Sequence, residues 1–229
     1  MNPPKFGIVI PCFNEAGNLL RLISECEQIA ESGAFQFVLV NNGSTDSSIQ
    51  ILKEIKNPSI RILTLDPNRG YGGGILEGLH SLETEFVGWI HADLQTNLKE
   101  SLTFVAEQTF DYFKGIRTGR NPAERFFTAG MGIFCSALFR TPLYEINAQP
   151  TVMKRSLFES WVNPPVDFSL DLFSLVVAKR AKADIRRSKF YFGDRVIGQS
   201  SWNFGFKSRI KMISRTFNYA WSLYRAGTK

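Results

Sequence analysis

The first 96 residues repeat one pattern: a short apolar, β-prone run, then a cluster of polar residues, then a helical pattern. The apolar runs cover residues 6–10, 35–40, 60–65 and 86–90. Those at residues 6–10, 35–40 and 86–90 are almost wholly apolar, which is typical of strands that are buried on both faces of a parallel sheet. Strands that alternate with helices predict an α/β fold with a mostly parallel sheet, right-handed crossovers and flanking helices.

The second half of the chain keeps the same elements in a looser order. Helical patterns cover residues 98–108, 124–139 and 167–181, and extended runs cover 110–116, 150–153 and 185–192. We expect one domain over residues 1–203, with a nucleotide-binding half at about 5–96 and an acceptor half at about 97–203. A basic amphipathic helix is expected over 204–229.

Composition narrows the class of protein. A chain of 229 residues that is 44% hydrophobic can bury one large core. We find no apolar run near 18 residues and no apolar region of a signal peptide at the start, so we expect a cytoplasmic protein. Three cysteines without C-x-x-C spacing argue against a disulfide framework or zinc site and indicate a reducing compartment.

Charge is distributed unevenly along the chain. Residues 1–177 hold 14 Lys/Arg and 19 Asp/Glu, a balance of −5, whereas residues 178–229 hold 13 and 2, a balance of +11. A basic C-terminal quarter predicts an anionic partner there, which could be a membrane surface, a phosphorylated substrate or nucleic acid.

Polar residues collect where each of the first four strands ends. They are Asn14 and Glu15, then Asn41 and Asn42, then residues 69–74, then residues 91–95. Asn14 is a candidate N-cap of the helix that follows it, and residues 68–74 predict a glycine-rich loop. Since the carboxyl ends of parallel strands meet at one edge of the sheet, we expect a ligand site there. A dinucleotide site is not expected, because the first strand is followed by P-C-F-N-E and not by G-x-G-x-x-G. The chain also has no G-x-x-x-x-G-K-[ST] of a P-loop ATPase.

The stretch G-W-I-H-A-D-L-Q-T at residues 88–96 contains the strongest chemical signal. If the strand runs on through His91, the side chains of His91 and Asp93 point the same way. A carboxylate and an imidazole with Gln95 nearby suit a divalent ion that holds a diphosphate. The alternative is a strand that ends in a solvated aspartate.

Four of these segments together resemble family-2 glycosyltransferases of the GT-A fold. The segments are I-V-I-P-C-F-N-E (8–15), V-N-N-G-S-T-D (40–46), N-R-G-Y-G (68–72) and H-A-D-L-Q (91–95). That family carries I-P-x-[YF]-N-E, V-D-D-G-S-x-D, N-x-G-x-[GA] and D-A-D-L-Q in the same order. K-G-I-R (114–117) and R-V-I-G-Q-S (195–200) are similar to two later motifs of dolichyl- and polyprenyl-phosphate sugar transferases.

The resemblance implies a metal-dependent, inverting transfer of a sugar from a nucleotide-diphosphate sugar to a polyprenyl-phosphate-type lipid. It implies that Glu15 holds the ribose hydroxyls, Asn42 faces the base and Gly72 admits the nucleotide. Asp93, with His91, would bind Mg²⁺ or Mn²⁺, while Arg195 and Ser200 would close over the diphosphate. The implied nucleotide-sugar site comprises Pro11, Phe13, Asn14, Glu15, Asn42, Ser44, Arg69, Gly70, Gly72, His91, Ala92, Asp93, Gln95, Arg195 and Ser200. The implied catalytic residues are Asp93, Asp167, Arg117 and Arg125, the two arginines as phosphate ligands.

Three segments depart from the family pattern. His91 replaces the first aspartate of the metal motif, which shifts the metal preference towards Mn²⁺. Asn41 and Asn42 replace an aspartate pair, which leaves the identity of the base open. N-A-Q-P-T-V at residues 147–152 stands where many relatives have D-x-x-S-G-F, which leaves the acceptor open.

The acceptor determines whether a general base is required. A lipid phosphate is already an anion, whereas a sugar hydroxyl of a surface polysaccharide or glycolipid must lose its proton to a carboxylate. Asp167 is the best candidate for that base and Asp171 a weaker one, although Asp167 could equally cap a helix. A third possibility is a non-catalytic member of the fold that only binds a nucleotide sugar.

The C-terminal helical pattern predicts contact with an anionic membrane. Phe206, Ile210, Ile213, Phe217, Trp221 and Tyr224 recur every three or four residues, beside a basic row of Lys207, Lys211 and Arg215. Such a helix suits peripheral binding at the inner face of the cell membrane. The alternative is a helix packed on the domain or on a partner subunit of a homo-oligomer. We expect no nucleic-acid partner.

Overall fold

Seven strands form a single sheet. The computed structural model describes residues 3–193 and 205–226. The strands are β1 (Phe6–Cys12), β2 (Phe35–Asn42), β3 (Ile60–Leu65), β4 (Phe86–Trp89), β5 (Tyr112–Thr118), β6 (Thr151–Lys154) and β7 (Ile185–Tyr191). Their order is β3-β2-β1-β4-β6-β5-β7. Only β6 runs antiparallel to its neighbours β4 and β5 among these named strands, so the expected mostly parallel sheet is confirmed.

Helices cover both faces of this sheet. They are α1 (Ala16–Ala30), α2 (Ser48–Lys53), α3 (Gly70–His80), α4 (Leu98–Ala106), α5 (Pro122–Phe139), α6 (Arg155–Glu159), α7 (Leu170–Arg180) and α8 (Gly205–Ala226). Successive side chains of a strand point to opposite faces. Ile8 and Ile10 therefore pack in the core with α1 and α4, whereas Val9 packs in the core with α3 and α7.

The order of the strands locates a crevice in the sheet. β1 is followed by β2 and β3 on one side, and the chain then returns to place β4 on the other side of β1. Helices α1 and α3 lie on opposite faces. Ligands of open α/β sheets bind beyond the carboxyl ends of the strands at such a reversal. The polar residues that follow β1 and β4 are therefore at the expected place.

Both halves of the predicted domain supply strands to the same sheet. β1 to β4 come from residues 5–96, and β5 to β7 come from residues 97–203. The division near residue 96 thus falls inside one continuous sheet, and it stays a prediction, as does the boundary at residue 203.

Three local predictions were wrong. The glycine-rich segment after Arg69 is not a loop, because α3 begins at Gly70. β4 ends at Trp89 and does not continue to His91; a turn at Ala92 and Asp93 follows it. Asn14 does not cap α1, since its φ of 57° lies in the left-handed region and Glu15 occupies the capping position.

The C-terminal helix α8 packs on the domain through one face. The ring of Phe217 lies 4.0 Å, centre to centre, from that of Phe134 in α5, and Tyr224 meets Phe139 edge-on. Ala220 is fully buried. Part of the predicted lipid-facing stripe therefore faces α5, whereas Trp221 remains 53% exposed. Across the ranges 3–193 and 205–226, no helix has the length and apolarity that crossing a membrane requires.

Candidate active site at the carboxyl edge of the sheet

The loop after β2 holds the beginning of α1. Ser44 Oγ, Ser48 Oγ and Asp46 Oδ2 accept hydrogen bonds from the backbone N–H groups of residues 14, 15 and 16, at 3.1, 3.1 and 3.2 Å. The first N–H groups of a helix have no partner inside the helix. The S-T-D-S sequence at residues 44–47 and Ser48 therefore supply these acceptors from a different loop.

Asp46 is the charged member of this arrangement. Partial burial opposes its ionisation, but hydrogen bonds from Ser48 and Ala16 outweigh the burial and lower the pKa of Asp46. Its carboxylate also lies at the N-terminus of α1, where negative charge is favourable. The two strand ends that would border a nucleotide are thus fastened to each other.

Asn42 likewise fastens the end of β2 to the start of α3. Its Nδ2 donates to the carbonyl of Gly70 at 2.8 Å, and its Oδ1 accepts from the backbone N–H of Arg69 at 2.9 Å. The side chain is buried and both ends of its amide have backbone partners. Contact between Asn42 and a base, which the resemblance implies, stays a prediction.

Gly72 lies against the chain's own backbone. A Cβ at Gly72 would come within 2.7 Å of backbone atoms in residues 165–167. Gly73 donates its N–H to the carbonyl of Val166 at 2.9 Å. The glycines at the start of α3 therefore allow the segment before α7 to approach the helix closely. This packing requires a glycine at position 72 by itself, and the predicted approach of a nucleotide to Gly72 stays a prediction.

The polar segment after β4 opens into a pocket. Its lining comprises Ile90, His91, Asp93, Thr96, Gln149 and Phe192. Asp93 is buried to 6% exposure and accepts a hydrogen bond from the backbone N–H of Gln95 at 3.3 Å. β4 ends before His91, so the extended geometry behind the two-residue argument does not apply, yet His91 and Asp93 both line this pocket through the turn that follows the strand.

A buried polar network lies beneath this pocket. Lys114 Nζ donates to Asp171 Oδ1 at 3.1 Å and to Thr151 Oγ1 at 2.8 Å. Tyr71 donates its hydroxyl to Asp171 Oδ2 at 3.0 Å, and Gln149 Nε2 donates to the Tyr71 hydroxyl oxygen at 2.8 Å. The network thus connects a buried ion pair of β5 and α7 with a residue that lines the pocket.

Burial and charge set the protonation states in this network. Burial lowers the pKa of Lys114 to about 8, although the neighbouring Asp171 raises it. Burial, followed by the charge of Asp171 and the hydrogen bond to it, raises the pKa of Tyr71 well above its usual range. Tyr71 therefore stays a hydrogen-bond donor, and its ring stacks on Phe168 at 4.2 Å and lies 5.6 Å from that of His91.

The candidate catalytic side chains are not all brought together. Arg117 donates to Glu145 Oε2 at 2.8 Å, and its guanidinium lies 5.6 Å from the centre of the Phe192 ring, next to the pocket. Arg125 is exposed in the first turn of α5, and among the described residues it is outside the pocket lining. Arg195 and Ser200 lie outside the described residues.

The two candidate bases occupy different environments. Asp167 Oδ1 accepts from the backbone N–H of Ser169 at 2.9 Å, two residues along the chain. Ser169, not Asp167, is the N-cap of α7, so the capping alternative for Asp167 is not what the structure has, and its role as a base stays a prediction. Asp171 is 1% exposed, and its two oxygens accept from Lys114 and Tyr71, so it stays the weaker candidate.

The remaining predicted site residues lie along the same edge. Pro11 is half-buried and Phe13 is 45% exposed at the end of β1. Glu15 Oε2 accepts from Asn18 Nδ2 at 2.7 Å. Gln95 Nε2 donates to the carbonyl of Gly193 at 3.0 Å, so it holds the segment after β7 against the pocket. Arg69 is an exposed partner of Glu77, and Ala92 is buried next to Asp93.

Sequence reasoning missed Tyr71, Lys114, Thr96, Gln149 and Phe192 as residues at or beneath the pocket. One signal was available for Gln149, because it lies in the segment that departs from the D-x-x-S-G-F pattern. Tyr71 and Lys114 lie inside recognised motifs but gave no chemical signal of their own. Phe192 and Thr96 meet only through an isolated bridge between distant segments.

Comparison with known proteins agrees with this architecture. Residues 7–168, more than half of the chain, match the family described as Glycosyl transferase family 2. A curated relative, undecaprenyl-phosphate 4-deoxy-4-formamido-L-arabinose transferase of Yersinia pestis bv. Antiqua (strain Angola), is 32% identical over 131 residues. That match covers 52% of this chain and 39% of the relative, so the chain spans about two fifths of the length of such relatives.

Two solved structures share the fold. Glucosyl-3-phosphoglycerate synthase of Mycobacterium tuberculosis, in complex with Mn²⁺, UDP and glucosyl-3-phosphoglycerate, has a TM-score of 0.67 at 14% identity and covers 90% of this chain and 76% of that one. S. aureus TarS 1–349 in complex with UDP-GlcNAc has a TM-score of 0.58 at 20% identity, with 88% and 61% covered. The GT-A-type fold is confirmed, and the chain belongs to glycosyl transferase family 2.

Proposed function

We propose that this chain transfers a sugar, with inversion, from a nucleotide-diphosphate sugar to a polyprenyl-phosphate-type lipid, with the help of Mg²⁺ or Mn²⁺. The observation that carries the proposal is the pocket in which Asp93 and His91 meet at the sheet reversal. The names of the curated relatives, which are undecaprenyl-phosphate sugar transferases, support the lipid acceptor.

The residues of the pocket fit a divalent ion that a substrate helps to bind. The described ranges contain no group of three or more His, Cys, Asp or Glu residues that could hold a metal by themselves. Mg²⁺ is commonly held by one or two carboxylates together with substrate phosphates, and imidazole is acceptable to Mn²⁺. Asp93 and His91 would hold the ion, which when bound offsets the charge that develops on the leaving diphosphate.

The chain's own groups would orient the reactants. The linked ends of β1, β2 and α3 form a rigid edge for the nucleoside, as Ser44, Asp46 and Asn42 fasten those elements together. Arg117 lies beside Phe192 and could reach a phosphate by exchanging its contact with Glu145. An arginine there would stabilise the anionic leaving group or the phosphate acceptor through bidentate hydrogen bonds.

The acceptor determines whether Asp167 is needed as a base. A phosphate oxygen attacks as an anion and needs no general base. Oδ1 of Asp167 accepts from the N–H of Ser169. A carboxylate has a second oxygen, so Asp167 could still take the proton of a sugar hydroxyl, and such an acceptor stays the alternative.

We also propose peripheral contact with an anionic membrane. Exposed positions of α8 carry Trp221, which is 53% exposed, together with Arg215 and Arg225. Tryptophan is favoured at headgroup depth, and cationic side chains near an anionic surface add about 1 kcal/mol each. These side chains would bring the pocket near a lipid-borne acceptor at the cytoplasmic side.

The test is a ligand panel followed by a transfer assay. Thermal shifts with UDP-, GDP-, CDP- and dTDP-sugars would be measured in Mn²⁺, Mg²⁺ or EDTA, where a ligand at 100 times its Kd adds about 2.7 kcal/mol of stability. The donor that is found would then be assayed for transfer to undecaprenyl phosphate and to a soluble glycan. We expect a metal-dependent shift and transfer to the lipid.

Asp93→Asn provides the decisive variant. Its turnover should fall by on the order of 10²–10³, by analogy with the loss of one group that stabilises transition-state charge. Asp184→Asn, an exposed aspartate at the amino end of β7, is the matched control and should keep its activity. Binding without any turnover in the wild type would instead indicate a non-catalytic nucleotide-sugar binder.

A further inference from the structure

One buried polar atom of a pocket-lining residue has no partner among residues 3–193 and 205–226. Gln149 is 3% exposed and lines the pocket with His91 and Asp93. Within the described residues its Oε1 accepts no hydrogen bond, whereas its Nε2 donates to Tyr71. A buried carbonyl oxygen without a partner is costly, and in native proteins such a group usually has an external partner or a function.

The buried network determines which end of the amide faces the pocket. Asp171 accepts from Lys114 and from the hydroxyl of Tyr71, so the single hydroxyl hydrogen of Tyr71 is already used. The Tyr71 oxygen can then only accept from Gln149, which requires the NH₂ end of the amide. Because the ion pair is buried, this direction is fixed, and the oxygen of Gln149 is left as the free end.

An oxygen that can only accept selects its ligand by chemistry. It attracts a hydroxyl, an N–H or a divalent cation, and it repels the oxygens of a phosphate. Asp93 and His91, which line the same pocket, are proposed to hold the ion that binds the diphosphate. The group bonded to that diphosphate in the donor is the sugar. A contact with the ion would change the affinity for the bare nucleoside diphosphate in Mn²⁺, whereas a contact with the sugar would not.

We infer that Gln149 is a specificity residue that accepts a hydrogen bond from a hydroxyl or N–H of the donor sugar. This inference rests on the proposed function and adds to it the part of the substrate that Gln149 contacts. A donor that lacks this group would leave Oε1 buried without a partner. It should therefore bind roughly 10- to 100-fold more weakly, which is the range expected when one buried polar atom is left unpaired.

Two variants separate a ligand contact from a structural role. Gln149→Met keeps the length of the side chain but removes the oxygen and the hydrogen bond to Tyr71. Tyr71→Phe removes the same hydrogen bond and leaves the oxygen in place. Gln50→Met, at an exposed position of α2, is the matched control for the substitution itself. All variants would be checked by circular dichroism.

The readout is the sugar increment, which is the ratio of the affinity for a nucleotide sugar to the affinity for the bare nucleoside diphosphate. It would be measured by calorimetry in Mn²⁺ with UDP, GDP, CDP and dTDP and with their sugars. We expect Gln149→Met to lose about 10- to 100-fold of this increment while its affinity for the nucleoside diphosphate is kept. Tyr71→Phe should lose much less of the sugar increment. Deoxy analogues of the sugar should identify the contacting group, because the analogue that lacks it should bind wild type and Gln149→Met with equal affinity.

Other results would overturn the inference. Equal losses in Gln149→Met and Tyr71→Phe would mean that Gln149 acts through Tyr71, and an unchanged increment would mean that the oxygen meets only water. A parallel loss of affinity for the bare nucleoside diphosphate would also contradict a contact with the sugar. If the folded wild type bound no nucleotide or nucleotide sugar, the proposed function would fail, and this inference with it.

Discussion

The buried ion pair between Lys114 and Asp171 is the feature whose removal should affect the protein most. The side chains are 0% and 1% exposed, and Nζ and Oδ1 are 3.1 Å apart. Lys114→Met would leave the Asp171 carboxylate in the core with Tyr71 as its remaining side-chain donor. Removing one partner of a buried pair costs about 3–5 kcal/mol. This is a large fraction of the roughly 5–15 kcal/mol that stabilises a typical protein.

The assay is thermal unfolding followed by circular dichroism, with equilibrium unfolding in urea to give the free energies. For a chain of this size each kcal/mol lowers the melting temperature by about 2–4 °C, so a fall on the order of 6–20 °C is expected. The double variant Lys114→Met/Asp171→Asn should cost less than the sum of the single variants, with an interaction energy of about 1–3 kcal/mol. The residues are in direct contact, and the asparagine still offers an acceptor to Tyr71.

A second lysine–aspartate pair serves as the matched control. Lys154 binds Asp111 at 2.7 Å, but the side chains are 46% and 37% exposed. Lys154→Met should cost below about 1 kcal/mol, because water solvates and screens an exposed pair. The reasoning would be refuted if Lys114→Met and Lys154→Met cost the same, or if the effects at Lys114 and Asp171 were additive.

Three further outcomes are expected. Gly72→Ala should destabilise the protein by about 1–3 kcal/mol, because the new Cβ would meet backbone atoms at 2.7 Å. Gly130→Ala, whose Cβ would meet nothing within 4 Å, should stabilise the protein by about 0.5–1 kcal/mol, because alanine favours the helix α5. Urea midpoints of the two variants that move in the same direction would contradict this. Asp46→Asn should cost about 1 kcal/mol at pH 7. The pKa of Asp46 is lower in the folded than in the unfolded state, so the carboxylate stabilises the fold above the unfolded pKa and loses this effect as the pH falls through the folded pKa. The stabilities of wild type and variant should therefore converge in acid. A stability difference that persists in acid would refute the argument. Phe217→Ala removes the ring stacked on Phe134 and should release α8, seen as faster hydrogen exchange in α8 but not in the sheet; equal acceleration in both would count against independent docking.

Much of the architecture follows from local sequence. The apolar runs of residues 6–10 and 35–40 correspond to β1 and β2, because a strand buried on both faces is apolar at successive positions. The run at residues 60–65 corresponds to β3, an edge strand on which Arg61 and Thr64 are exposed. The clusters after these strands mark one edge, since parallel strands all end there.

Local signals misled where distant segments determine the conformation. The glycines after Arg69 predict a loop, because glycine disfavours helices, yet α3 begins at Gly70. The segment at residues 165–167 packs so closely on this turn that a side chain at Gly72 has no room. Asn14 is typical of a helix cap, but acceptors from the loop after β2 take over that role, so Asn14 adopts a left-handed conformation.

By itself, the sequence determined the alternation of strands and helices in the first half of the chain and the edge of the sheet where the polar residues collect. Both depend on the periodicity of residues that are near one another in the chain, and on parallel strands ending at one edge. Only the tertiary structure decided that Lys114, Asp171, Tyr71 and Gln149 form one network. Their hydrogen bonds join residues up to 100 positions apart, and a buried polar side chain finds its partner through packing of whole elements, not through its neighbours in sequence.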